Sequence, residues 1–314
     1  MGIGNLCVRA RRIGLACAIG VGGMVLAAGK ASAVPFVFNS GDPDGRMGMA
    51  SRPGNASQIE IEAADDFLLP SDTQITGGTF TGLLTGGATV ADVSQVVVEI
   101  YRVFPLDSNT VRTPNVPTRN NSPSDVAFDS RDSLTGMIVT SNVLSAQFNT
   151  LNSVLNGINK SPNQTTGGEG PVSGSEVRFS FTFNSALNLP AGHYFFVPQV
   201  LIDTNQIVAS EVVTLAAPLG SQFYWLSSPK PITGPGTTPF LPDLQAWIRN
   251  DNIDPDWLRV GTDIVGGTTP PTFNASFSLD GQVAAIPLPP AVWTGLSGFA
   301  AVVAGAGARR FRRK

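Results

Sequence analysis

Cysteine is almost absent from this 314-residue chain: the two present, Cys7 and Cys17, both lie near the N-terminus. With none beyond residue 17, the body of the chain has no disulfide, no thiol nucleophile and no thiolate ligand for a metal. Histidine is scarcer still, with His193 alone. A single imidazole rules out zinc sites of the usual His and Cys kind, and any Ser–His–Asp site would rest on this one residue. No Gly-x-Ser-x-Gly turn marks a partner serine, so His193 reads as a strand residue at a turn exit, satisfied by a nearby polar group. Charged residues are also few, at 14%, and helical periodicity is scarce.

The two ends differ from the body. Residues 1–33 read as a signal peptide: Arg9, Arg11 and Arg12 precede an apolar run over residues 13–28, and Ala31-Ser32-Ala33 follows. Signal peptidase accepts a small residue at each of Ala31 and Ala33, and the mature chain is expected to begin at Val34. Gly20, Gly22 and Gly23 interrupt the run, which favours cleavage over a retained anchor. The Arg11-Arg12 pair lacks the context of a twin-arginine signal, so general secretion is expected.

At the other end, residues 291–308 form an uncharged apolar stretch of about eighteen residues, near the lower limit for a membrane-spanning helix. Arg309, Arg310, Arg312, Arg313 and Lys314 follow it, a basic tail (309–314) expected to stay cytoplasmic while residues 34–285 lie outside. Pro287, Leu288 and Pro289 stand just before the span, extended because proline cannot continue a helix backwards, and Trp293 falls at interfacial depth.

This order, over residues 286–314, resembles the PEP-CTERM family of sorting signals in its Val-Pro-Leu-Pro-Ala-like form, with Ile286 in place of the usual Val and an added Pro290. The resemblance implies that an exosortase, a membrane-embedded protease, recognises Pro287-Leu288-Pro289 and cuts nearby, so that membrane anchoring is transient. The span is rich in Gly and Ala and includes Thr294 and Ser297, in keeping with a weak anchor. The phrase Ala64-Asp65-Asp66-Phe67-Leu68-Leu69-Pro70, followed by Ile75-Thr76-Gly77-Gly78-Thr79-Phe80, is also similar to the opening of sandwich domains in exported proteins with such tails. That likeness implies a fold and no activity.

Nine of the 20 Lys and Arg lie in the two ends, leaving 11 against 23 acidic residues in the body, a net charge near −12. Such a surface disfavours nucleic acid, whose binding depends on neutralising phosphates. It suits an extracellular protein or one that binds cations.

Between the ends, apolar runs of five to nine residues alternate with segments rich in Gly, Pro, Ser, Thr and Asn. Strands are expected over residues 59–69, 74–84, 93–104, 136–143, 176–184, 193–202, 208–216, 222–226, 256–263 and 274–279. The run 193–202 is apolar on both faces and is expected at the centre of a sheet. Residues 105–135 and 152–174 read as long polar loops, and 243–249 as a short helix started by Pro242 and Asp243, although Leu244, Ala246 and Ile248 also alternate as in a strand. The expected fold is all-β: one antiparallel β-sandwich of jelly-roll type, flanked by the signal peptide and the C-terminal transmembrane helix.

No catalytic or cofactor-binding residue is expected. A structural calcium ion would draw on Asp42 and Asp44 in Asp42-Pro43-Asp44-Gly45, or on Asp251, Asp254 and Asp256. Paired carboxylates (Asp65 with Asp66, Glu60 with Glu62, Asp254 with Asp256) keep a polysaccharide hydrolase open. Tyr224, Trp225, Trp247 and Trp257 fall within 34 residues and keep open a carbohydrate-binding module that stacks exopolysaccharide on exposed rings. The leading expectation is an exported, non-catalytic surface or matrix protein whose partners are signal peptidase and an exosortase.

Overall fold

A computed structural model describes residues 34–56, 58–108, 122–159, 165–203, 220–229 and 245–284. Val34 opens the first strand. The signal-peptide residues Ala31 and Ala33, the strand expected at 208–216, and the whole sorting segment (Pro287, Leu288, Pro289, Trp293, the span 291–308, Arg309 and Arg310) lie outside these residues. Among the described residues, no helix is long and apolar enough to cross a membrane.

Fifteen strands, numbered in chain order among the described residues, form two sheets. The nine-stranded sheet contains β1 (Val34–Asn39), β2 (Gly48–Ala50), β4 (Thr73–Thr85), β7 (Met137–Asn149), β8 (Ser153–Val154), β9 (Ser173–Leu189), β11 (Phe223–Ser228), β14 (Asn274–Ala275) and β15 (Phe277–Val283). The six-stranded sheet runs β13-β12-β3-β10-β5-β6, with β3 (Ile61–Leu69), β5 (Val93–Val103), β6 (Pro123–Asp132), β10 (Gly192–Ile202), β12 (Trp247–Asn250) and β13 (Leu258–Arg259). Pairing is antiparallel apart from the short contact of β2 with β8. The chain is therefore all-β with two antiparallel sheets.

Strand β4 is the spine of the larger sheet. Along one side it pairs with β9 from Thr73↔Leu189 to Thr85↔Gly174. Its other side is shared by β15, which pairs with residues 73–80, and β11, which pairs with residues 82–84. Glycines in β4 permit this crowding. A Cβ at Gly77 would stand 2.3 Å from the Phe181 carbonyl, and one at Gly82 would stand 2.2 Å from the Phe223 ring. In the smaller sheet β10 is central, between β3 and β5.

Period-two alternation places the apolar residues of both sheets against one another. The larger sheet contributes Phe80, Phe179, Phe181, Phe223, Trp225 and Phe277, and the smaller one Phe67, Tyr194 and Phe196. Phe196 is at the centre: its ring stacks on Phe277 at 4.9 Å and 8°, on Phe181 at 5.7 Å and 16°, and meets Trp225 edge-on at 5.8 Å. These are the offset and T-shaped geometries that the aromatic quadrupole favours.

Strands β1 and β2 are not among those expected, β8 lies within the loop expected at 152–174, and three further segments differ from the sequence expectation. Residues 105–135 are not one long loop, because β6 runs through them and pairs with β5. It has no apolar period since it is, among the described residues, the last strand of its sheet, and its buried residues are Pro123, Ser124 and Asp125. The helix expected at 243–249 is instead strand β12 over its described part, held between β3 and β13. The alternation of Ala246 and Ile248 is the stronger signal, and the start at Pro242 and Asp243 lies outside the described residues. The strand expected at 256–263 ends at Arg259, whose backbone N–H and guanidinium both donate to the Asp263 carboxylate, at 2.8 and 3.0 Å, closing the wide turn Val260–Val265.

Replacing Phe196 by Ala would empty the centre of the aromatic layer. The expected cost is about 3–5 kcal/mol, read as a lower urea midpoint with an unchanged slope.

Candidate functional site

The outer face of the six-stranded sheet holds the most concentrated ionisable chemistry among the described residues. Arg249 on β12 lies directly opposite Glu62 on β3, so the two side chains rise from the same face. Glu99 and Tyr101, two apart on β5, share one face by strand alternation. Tyr101, Trp247 and Trp257 form a second apolar cluster there, with Ala64, Phe195 and Val197.

The Arg249 guanidinium is fully engaged. Its Nε donates to Glu62 Oε2, Nη2 donates to the Tyr101 hydroxyl at 2.8 Å, and Nη1 donates to the Asp125 carbonyl at 3.1 Å and faces Asp254 Oδ1 at 2.9 Å. It also lies over the Trp257 ring, 4.4 Å from the centroid, a favourable seat for a desolvated cation. Trp257 is held in turn by its indole N–H, which donates to the Ser124 carbonyl at 3.2 Å.

Tyr101 stands 2.5 Å from Glu62 Oε1 and 3.0 Å from Glu99 Oε2. Its one proton goes to the nearer acceptor, Glu62. Burial, then the Glu62 charge, pushes Glu99 up to about 8, so this carboxyl keeps its proton at neutral pH. Burial and the Glu62 charge also raise Tyr101 well above the ordinary phenol range. Burial is the largest single influence on Arg249 and opposes its charge, but Glu62, Tyr101 and Asp254 together outweigh it and raise the guanidinium above its usual value. The group thus holds one carboxylate, one carboxylic acid, one phenol and one guanidinium, with the charges of Glu62 and Arg249 paired. Such an arrangement locks strands together.

A separate cleft of about 390 Å³ lies beside this network, lined by Arg52, Ile59, Ile61, Leu155, Asn156, Ile158, Asn159, Asn250, Asn252 and Ile253. Ile61 and Asn250 are paired residues one step along from Glu62 and Arg249. By alternation they face the opposite way, so the Glu62–Glu99 pair does not open into the cleft. Its loop wall is stitched by Glu169, whose carboxylate accepts the backbone N–H groups of Leu155, Asn156 and Gly157. Asn250 Nδ2 donates to the Ile158 carbonyl at 3.2 Å, fastening that wall to β12.

The residues singled out in the sequence are dispersed. Asp65 and Asp66 project from opposite faces of β3: Asp65 Oδ2 accepts the Ala275 N–H at 2.8 Å, whereas Asp66 Oδ2 is 2.8 Å from His193 Nε2. His193 is therefore held by a carboxylate on the neighbouring strand and stacks on Phe195 at 5.4 Å. Asp42 pairs with Arg178 at 2.9 Å, and Asp44 accepts from the Ser227 hydroxyl and the Arg46 N–H. Asp251 accepts the Glu60 N–H, Asp254 faces Arg249, and Asp256 is buried. Among the described residues, no three His, Cys, Asp or Glu side chains come together as a metal-holding group.

The exposed aromatic surface kept open for Tyr224, Trp225, Trp247 and Trp257 is not formed. All four are buried, Trp225 between the sheets and the other two tryptophans on the far face of the smaller sheet. Their proximity in sequence does not bring them onto one surface, because strands β11 and β12 belong to different sheets. Sequence reasoning also missed Glu99, Tyr101, Arg249 and Arg52. The available signal was a charged residue amid a strongly apolar strand, as at Glu99.

Comparison with known proteins brings no match: no family model, no curated protein and no solved structure resembles the chain significantly.

Glu99 makes stability depend on pH with a definite sign. Between its ordinary value of 4.5 and its folded value of about 8, the unfolded chain loses a proton that the folded chain retains. Raising the pH through that window therefore lowers stability at this residue. Glu99→Gln, which preserves shape and hydrogen bonding, is expected to be more stable than the wild type at the alkaline end, with the gap closing at the acid end. Urea unfolding of both proteins across that range measures it.

Proposed function

We propose that this chain is an exported, non-catalytic protein of the cell surface or extracellular matrix, in which a sandwich of jelly-roll type is delivered by a signal peptide and an exosortase-type system. What carries the reading is the order Pro287-Leu288-Pro289, apolar residues 291–308 and Arg309 to Lys314 at one end, with Ala31-Ser32-Ala33 at the other. Two features of the domain are compatible with it. The acid pair Glu62 and Glu99 is closed over by Tyr101 and Arg249 and lies on the face of β3 and β12 opposite to that of Ile61 and Asn250, which line the cleft. Its core also stands without disulfides, as the position of both cysteines before Val34 requires.

The test is processing. In a host with an exosortase, the wild type is expected to lose its C-terminus and leave the membrane fraction. A Pro287→Ala, Pro289→Ala double variant should stay uncut and membrane-bound. Equal C-terminal mass in the two would remove the sorting assignment.

A second reading, binding of exopolysaccharide, is favoured by the cleft. Four asparagines and Arg52 line it beside Ile59, Leu155 and Ile253. Amides donate and accept as sugar hydroxyls do, and the aliphatic side chains suit the C–H face of a pyranose. Glycan-array signal from the wild type that falls about tenfold or more on Asn252→Ala would support it. No signal from the wild type would remove it.

A further inference from the structure

Strand β7 is the outermost strand of the larger sheet. It pairs with β9 on one side, and no strand among the described residues covers the other. Over its 13 residues, Met-Ile-Val-Thr-Ser-Asn-Val-Leu-Ser-Ala-Gln-Phe-Asn, it carries no charge, proline or glycine. Charge and proline are two of the devices that normally protect an edge from strand addition, and the register irregularities after Val143 and Ser145 leave residues 137–143 as its regular stretch. It is also solvent-exposed along most of its length, with Ile138, Val143 and Leu144 exposed by 65, 48 and 40%.

The hydrogen-bonding parity of the free edge follows from β9. The Asn184 N–H donates to the Gly136 carbonyl at 3.0 Å, and the register runs Met137↔Phe183, Ile138↔Thr182, Val139↔Phe181. In an antiparallel ladder the bonded pairs alternate. Ile138, Thr140 and Asn142 are then bonded to β9, while Val139, Ser141 and Val143 turn their N–H and C=O groups to the open side.

The sequence of this edge is nearly palindromic in polarity about Ser141: Ile138-Val139-Thr140-Ser141-Asn142-Val143-Leu144 reads apolar, apolar, three polar, apolar, apolar. Two such strands brought together antiparallel about a two-fold axis at Ser141 place Val139 opposite Val143 of the second copy and Thr140 opposite Asn142. Ser141 meets its own equivalent, and Ile138 meets Leu144 at the register irregularity that follows Val143. The outward-turned residues Val139, Ser141 and Val143 become the hydrogen-bonded pairs, as an antiparallel ladder requires. Charge selects the same place: the body carries about twice as many acidic as basic residues, and β7 is an edge on which two copies meet without like charges opposed.

We propose that β7 is a self-association site, at which two copies of this chain pair edge to edge, antiparallel and centred on Ser141, to continue the larger sheet across a two-fold axis. This inference is independent of the export reading.

The test uses the full chain in mild detergent, with Cys7 and Cys17 replaced by Ser for the cross-linking arm. Sedimentation is expected to show a concentration-dependent dimer. Ser141→Cys should be captured as a homodimer by a short thiol-to-thiol cross-linker, far more efficiently than Ser173→Cys at the distal end of β9. Ser141→Pro removes an N–H that points away from β9, so the fold should survive while the dimer dissociation constant rises about tenfold or more. Val143→Lys, at an exposed site, gives the same readout without touching the backbone. A chain that stays monomeric at every concentration would overturn the proposal. So would a dimer unchanged by both Ser141→Pro and Val143→Lys, or a Ser141→Cys chain that captures a different protein and not itself.

Discussion

The contact between Phe196 of the smaller sheet and Phe277, Phe181 and Trp225 of the larger one is what the two sheets share. With no cysteine beyond residue 17, one sheet is held against the other chiefly by the burial of these rings and the aliphatic residues around them, with the Asp65 carboxylate accepting the Ala275 N–H as a polar tie between the two. Other features follow from it. β10, which carries Phe196, is placed at the centre of its sheet. β4 is made glycine-rich so that β9, β15 and β11 can bring Phe181, Phe277 and Trp225 within reach.

With the inner faces spent on packing, the polar chemistry collects on the outer face of the smaller sheet. There Glu62, Glu99, Tyr101 and Arg249 lie beneath Trp257, and burial alone would make each of the ionised groups costly. The arrangement limits that cost by keeping Glu99 protonated and by setting the Glu62 charge against Arg249. The network ties β3, β5, β12 and the chain around Asp125 together, four pieces far apart in sequence. The cleft on the other side of the β3–β12 pair takes Ile61 and Asn250 from the same two strands.

Much of this could be read in the sequence. The runs behind β3, β4, β5, β9, β10 and β11 are apolar or alternating, and these are residues buried on one face or both; the run behind β7 is marked by its β-branched residues although most of it is exposed. The central position of β10 followed from Tyr194 to Val197 being apolar on both faces. Less legible were β6 and β12. β6 is an edge strand whose buried residues include Ser124 and Asp125, so no apolar period marks it. The charged residue in β12, Arg249, looks solvated until Glu62 is seen to lie opposite it. The candidate site was the least legible part, because Glu62, Glu99, Tyr101 and Arg249 come from β3, β5 and β12, which only the assembled sheet brings together.

The sequence alone determined the all-β class, the absence of cross-links in the body, the acidic surface and the pattern at the two ends, because each depends on composition or on short-range order. Alternation with a period of two is a local property, and it says which side chains share a face. It does not say which strand lies alongside. That choice was made by tertiary structure: Arg249 finds Glu62 across 187 residues, and β7 has an open edge because, among the described residues, the sheet ends there. Strand neighbours are selected by which arrangement buries the aromatic layer and pairs the buried charges at the same time, a condition that exists only once the whole chain has closed on itself.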